Sequence, residues 1–158
     1  MDRFSTIIAN LYTQYNFPMI FPVPLVSIAN ALGYTVFDFQ INQNNRHISG
    51  AVLYEQKKIL LNPTELPSRR NFTLAHEIGH IVLDGPAQKG SVIDTRNDIL
   101  QPPLNTREWD ANEFAAELLM PATEFRSQWE KTRSVVSLSD YFNTSISATI
   151  VRLERLGL

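Results

Sequence analysis

Two histidines four residues apart, His76 and His80, stand in the run 71-NFTLAHEIGHIVLDG-85 with Glu77 directly after the first. On a helix, residues i and i+4 project side by side, so two imidazoles can share one ion at about 2.0–2.1 Å per Zn–N bond. Glu77 falls about 100° round the wheel, too far to be a good co-ligand but placed to take a proton from a water on the ion. Zinc brings such a water toward neutral pKa, and a carboxylate can then pass the proton to a leaving amine. In a chain with three histidines, chance yields only about 0.003 H-E-x-x-H matches. The rest of the wheel is apolar: Phe72, Leu74, Ala75, Ile78, Ile81, Val82 and Leu83. Its narrow polar strip is histidine-rich, unlike a solvated face, and Gly79 lets another backbone approach closely. The pattern reads as a metal site with its own base.

A catalytic zinc takes three protein ligands and keeps one position open. The chain has no cysteine, and no histidine follows His80. The third ligand is therefore a downstream carboxylate, His47 in the polar turn 42-NQNNRH-47, or Asp84. Asp84 lies two turns beyond His76, about 12 Å along the axis, too far to share an ion comfortably. The segment 107-REWDANEFAAELLMP-121 offers more. On its wheel Glu108 shares a face with Asn112, Ala115 and Leu119, while Asp110, Glu113 and Glu117 cluster opposite and are expected to be solvated. Glu108 is the favoured third ligand, Glu113 the alternative. Asn112, four residues on, can hold a ligand histidine's other ring nitrogen.

These residues need elements to position them. Arg3 to Tyr15 have helical spacing, and a second helix is expected from near Pro24 to Gly33. The period then shortens. 34-YTVFDF-39, 48-ISGAVLY-54 and 58-KILLN-62 read as about three strands of a small antiparallel sheet. The histidine helix is expected to be capped by Ser68 or Asn71 and stopped by Gly85-Pro86. No periodicity survives from Ala87 to Asn105, which reads as a loop. A glutamate-bearing helix covers Thr106 to Met120, and 138-LSDYFNTSISATIVRLERLGL-158 reads as two short helices around Asn143-Thr144. The expectation is one α+β domain over 1–158: N-terminal helices in 1–33, sheet and metal-site helices in 34–121, and a C-terminal helical subdomain in 122–158.

FTLAHEIGH followed by EWDANEFAAELLMP resembles the ImmA/IrrE family of small bacterial and phage-associated zinc metallopeptidases. ISGAVLYEQKKILLNP and FNTSISATIVRLERLGL fit it as well, so the likeness covers roughly residues 25 to 158. The resemblance implies a zincin-like, gluzincin-type domain, and the tail from Phe142-Asn143-Thr144-Ser145 through Ala148 and Ile150 is itself helix-turn-helix-like. It implies His76, His80 and Glu108 as ligands of zinc, or of manganese in the cell, and Glu77 as general base. Where many members carry aspartate this chain has Asn112, which can still accept from an imidazole N–H but brings no charge. Members typically cleave a helix-turn-helix repressor encoded beside them. The implied function is a zinc-dependent endopeptidase relieving repression in stress, phage or mobile-element regulation.

Composition narrows the other classes. Fourteen basic and sixteen acidic side chains give a net charge of −2, which is not the balance of a protein living on the DNA backbone. A DNA-binding regulator with a structural zinc is the competing reading, carried by the tail and its exposed-looking Arg152 and Arg155. From Arg126 onward, however, there are five basic against three acidic residues, thin for phosphate binding. A third reading is a module that binds its repressor without cutting it. The opening residues MDRFSTIIAN show no basic n-region, and the most apolar window, 17-FPMIFPVPLVSIANAL-32, is broken by prolines, so a soluble, cytoplasmic protein is expected. The strand Ile48 to Tyr54 is expected to be an open edge that binds substrate backbone by β-addition.

Overall fold

The computed structural model describes residues 2–95 and 105–158. Helix α1, Arg3–Tyr15, starts where Asp2 accepts a hydrogen bond from the Ser5 amide at 2.8 Å, and ends at Asn16 in the left-handed conformation. Helix α2, Leu25–Ala31, follows Pro24. Strands β1 (Thr35–Asp38), β2 (Ile48–Leu53) and β3 (Lys58–Leu61) come next. Helix α3, Pro67–Asp84, carries both histidines. It is followed by β4, Ser91–Thr95, and by helices α4 (Thr106–Leu119), α5 (Ala122–Thr132), α6 (Val135–Phe142) and α7 (Ile146–Leu156).

The α+β class holds, and the sheet is larger than expected. Its order is β1-β3-β2-β4: β2 runs antiparallel to both neighbours, while β1 and β3 are parallel. The fourth strand lies inside the stretch read as a loop, and residues 96–104 of that stretch fall outside the described residues. One consequence overturns an expectation. β2 is not an open edge, because β4 covers it, with Gly50 opposite Asp94, Ala51 opposite Ile93 and Val52 opposite Val92. The expected caps of α3 are corrected too. Pro67 begins the helix, no side chain caps it, and its N–H is one the first turn leaves unused anyway.

Helix α3 is buried between the sheet and α4, and it packs most extensively on α4. Gly79 makes that approach possible. A Cβ there would meet the Phe114 ring at 3.1 Å and the Ala111 carbonyl at 3.2 Å. Ile78, Phe114, Leu118, Ile59 and Val52 belong to one core that is buried without exposure. Burial of such side chains is worth about 1.5–3 kcal/mol each, which supplies most of what holds the layers together.

The C-terminal helices close the other end. Phe125 and Phe142 stack at 5.5 Å, and Asn143 turns the chain from α6 into α7, where Ser145 caps through the Ala148 amide. Here two expectations fail. Glu117, expected on a solvated face, is buried. Arg152, expected to be exposed, is buried against it and also donates to the Met120 carbonyl at 3.0 Å. Helices α1 and α7 cover that side of α4 through Ser5, Arg152 and Arg155, and a helical wheel does not say what covers it. No helix among the described residues is long and apolar enough to cross a membrane.

Candidate metal centre

The apolar surroundings of α3 fix its orientation, and that orientation buries Thr73, His76, Glu77 and His80 together. The two imidazoles face each other, Nε2 to Nε2, at 3.0 Å. His76 Nδ1 donates to Asn112 Oδ1 at 2.8 Å, which fixes the ring so that Nε2 is the nitrogen turned toward the cluster. Asn112 thus sits where the sequence reading wanted a support.

Glu108 arrives from the first turn of α4. Asn105 caps that helix through the Glu108 amide at 3.0 Å, so the carboxylate projects from a fixed start. Its Oε2 lies 3.2 Å from His76 Nε2 and 3.3 Å from His80 Nε2. A fourth donor stands beside it. Asp94 Oδ2, on β4, is 3.5 and 3.7 Å from the same nitrogens. The ligand atoms of His76, His80, Asp94 and Glu108 lie within 4.8 Å of one another.

These separations fit a metal ion. Donors at 2.0–2.1 Å round a tetrahedral centre stand about 3.3–3.4 Å apart. The chemistry agrees: Asp94 Oδ2 and Glu108 Oε2 are buried without a hydrogen bond, and two imidazole nitrogens are turned on each other. Burying such groups uncompensated costs several kcal/mol each, and a cation among them removes that cost.

Protonation in the cluster tells the same story. Burial alone would lower the His76 pKa, but Asp94 and Glu108 outweigh it and hold the imidazole up at about 9. Burial works to raise Glu108, yet the two imidazoles outweigh it and hold its carboxyl far below the usual range. Glu77 goes the other way. Burial pushes it well above the ordinary value, and the neighbouring Asp94 and Glu108 charges push it further. Neither Glu77 oxygen has a hydrogen-bond partner. Its carboxylate lies over β2 at Gly50, where a Cβ would come within 2.6 Å of Glu77 Oε1 and of Thr73 Cγ2. This glycine exists for close approach rather than for an unusual backbone angle.

The remaining candidates lie elsewhere. Glu113 pairs with Arg155, His47 is exposed in its turn, and neither joins the cluster. Asp84 Oδ2 is 3.9 Å from His80 Nδ1, beyond hydrogen-bond length. It accepts instead from Tyr54 Oη at 2.5 Å and from Arg107 Nη2 at 2.5 Å. Burial would raise Asp84, but these two donors hold its carboxyl below the ordinary value. The three-residue clamp ties the end of α3 to the start of α4 next to Glu108. Sequence reasoning missed Asp94, Gly50 and Arg107. Only the alternation of Val92 and Asp94 with Ser91 and Ile93 hinted at a strand there.

Comparison with known proteins adds a family and a fold. A family model described as the IrrE N-terminal-like domain, Peptidase M78, matches residues 29–154. No curated protein matches the chain. Among solved structures, a Mycobacterium tuberculosis transcriptional regulator is similar, with a TM-score of 0.68 at 16% identity. That alignment covers 97% of this chain and 47% of that one, so the chain spans about half the length of that structure.

Proposed function

The chain belongs to the IrrE N-terminal-like, Peptidase M78 family, and from that premise we propose that it is a metal-dependent endopeptidase, with zinc or manganese as the ion. His76, His80 and Glu108 hold the metal, and Glu77 is the general base. The observation that carries this reading is one arrangement: three donors at 3.0–3.3 Å from one another, with a buried, unpartnered carboxylate on the same helix. Bound there, a divalent cation supplies the Lewis acidity that polarises a peptide carbonyl. Asn112 keeps His76 in the tautomer that ligates. With the Asp94 and Glu108 charges compensated, Glu77 loses the like-charge part of what raises it. It can then accept a proton at its carboxylate and return it to the leaving amine.

The proposed substrate is a helix-turn-helix transcriptional repressor encoded beside this protein, which places the work in the cytoplasm. Support comes from the family and from the sequence resemblance. A DNA-binding role for the tail is disfavoured, because Arg152 pairs with Glu117 and Arg155 pairs with Glu113. Cations engaged in this way are poor phosphate ligands. Co-expression with the adjacent repressor, read by intact mass, tests the proposal. Two defined fragments are expected with the wild-type chain and none with Glu77→Gln at equal metal content. An uncut repressor in stable complex with metal-loaded wild type would favour sequestration instead.

A further inference from the structure

We infer that Asp94 is a fourth protein ligand of this metal centre, so that β4 closes the position that peptide hydrolysis needs open. The inference rests on the metallopeptidase reading and adds to it a resting state and a substrate shape. Asp94 Oδ2 is nearly as close to both imidazole nitrogens as Glu108 Oε2 is, within half an ångström. The side chain is 2% exposed, and its Oδ2 has no hydrogen-bond partner while facing the cluster.

Four protein donors mark a structural metal site, whereas a catalytic one keeps a position free. Yet Glu77 lies buried beside this closed set with both oxygens unpartnered, and a structural site has no use for it. Both observations hold if the fourth ligand can leave. Its strand is short and peripheral, though it pairs with β2 along its whole length. β4 has five residues, stands at the edge of the four-stranded sheet formed by the described residues, pairs there with β2, and has Ser91 and Ile93 exposed on its outer face. Short edge strands are the least anchored part of a sheet.

Departure of β4 would release two things together. Asp94 would vacate its coordination position, and the β2 edge from Gly50 to Leu53 would be bared. That edge runs past Glu77, because Gly50 is both the register partner of Asp94 and the residue beneath the Glu77 carboxylate. The segment that replaces β4 must therefore be extended and able to donate to and accept from a β-ladder. The substrate class that follows is an unfolded, strand-forming linker of the partner, not one of its helices.

The experiment uses the full chain loaded with Co(II), whose visible spectrum reports its ligands, together with a chelator competition. Asp94→Ala and the shape-preserving Asp94→Asn are expected to bind Co(II) about tenfold or more weakly, by analogy with supporting residues of metal sites. Their spectra should change, and they should cut an extended linker peptide faster than wild type at saturating metal. In a second variant, Ala51→Cys with Ile93→Cys, a disulfide fastens β4 to β2 on the face away from the metal. Oxidised, it should keep the wild-type spectrum and lose cleavage, and reduction should restore it. Unchanged affinity and spectrum in both Asp94 variants would overturn the assignment of Asp94 as a ligand. Cleavage by the oxidised form, or slower cleavage by the Asp94 variants, would overturn the removable closure. A wild-type chain that binds no Co(II) would sink the metallopeptidase reading itself, a separate result.

Discussion

Helix α4 turns an acid inward near each of its ends, Glu117 buried and Glu108 partly so, and the two are treated differently. Glu117, near its C-terminal end, accepts from Arg152, from Ser5 Oγ at 2.8 Å and from the Ala122 amide at 3.4 Å. Its counter-charge is supplied by the chain. Glu108, at the N-terminal end, meets two imidazoles and a second carboxylate, and its Oε2 lacks a hydrogen bond, as do Asp94 Oδ2 and both oxygens of Glu77. A buried acid whose partners are all built in is a tie. One whose neighbours are other metal-ligating side chains has the surroundings that suit a cation.

The contrast can be broken by mutation. The largest effect is expected from Glu77→Gln, which should lower cleavage about 10²–10⁴-fold while leaving the thermal midpoint unchanged or raised. Single-turnover cleavage and calorimetry on one preparation check both halves; a drop in stability would place Glu77 among the ties. Glu117→Ala should do the reverse. It strands the Arg152 charge and should cost about 3–5 kcal/mol in denaturant unfolding, with activity per folded molecule retained. Gly50→Ala falls between the two regions in kind. Overpacking against Glu77 and Thr73 should cost about 1–3 kcal/mol and lower kcat by displacing the base, whereas metal content, read by atomic absorption, should hold.

The smallest effect concerns protons. His76 is held up at about 9 in the metal-free cluster, above its ordinary 6.5, so metal must displace a proton at neutral pH. Metal affinity should therefore rise about tenfold per pH unit between 7 and 8.5, which chelator competition would measure. The sign for the metal-free fold is opposite. A raised pKa stabilises the fold fully below about 6.5, and that contribution is lost as pH climbs through 9. Urea midpoints of the metal-free chain should fall across that window. A flat profile in either measurement would mean that the two carboxylates do not hold the imidazolium.

What was legible in the sequence was local. His76, Glu77 and His80 follow from helical spacing within one turn, and Glu108 with Asn112 from the same rule on another helix. The α+β class and the bounds of most elements came from period together with proline and glycine stop signals. Asp94 did not show, because SVIDT is too short to outweigh its aperiodic surroundings. What makes it a strand is pairing with β2, some forty residues earlier. Glu117 and Arg152 were misplaced for a related reason. A wheel says which residues share a face, and only tertiary packing decides which face is covered.

Gly79 carries one further consequence. It sets how closely α3 and α4 approach, and those helices bring three of the four cluster donors. A methyl group there forces its neighbours to give by a few tenths of an ångström. Zinc ligands sit at about 2.0–2.1 Å and calcium ligands at about 2.3–2.6 Å, a difference of the same order. On the proposed metal reading, Gly79→Ala is therefore expected to shift the preference of the cluster toward larger cations, which competition between zinc and calcium would measure.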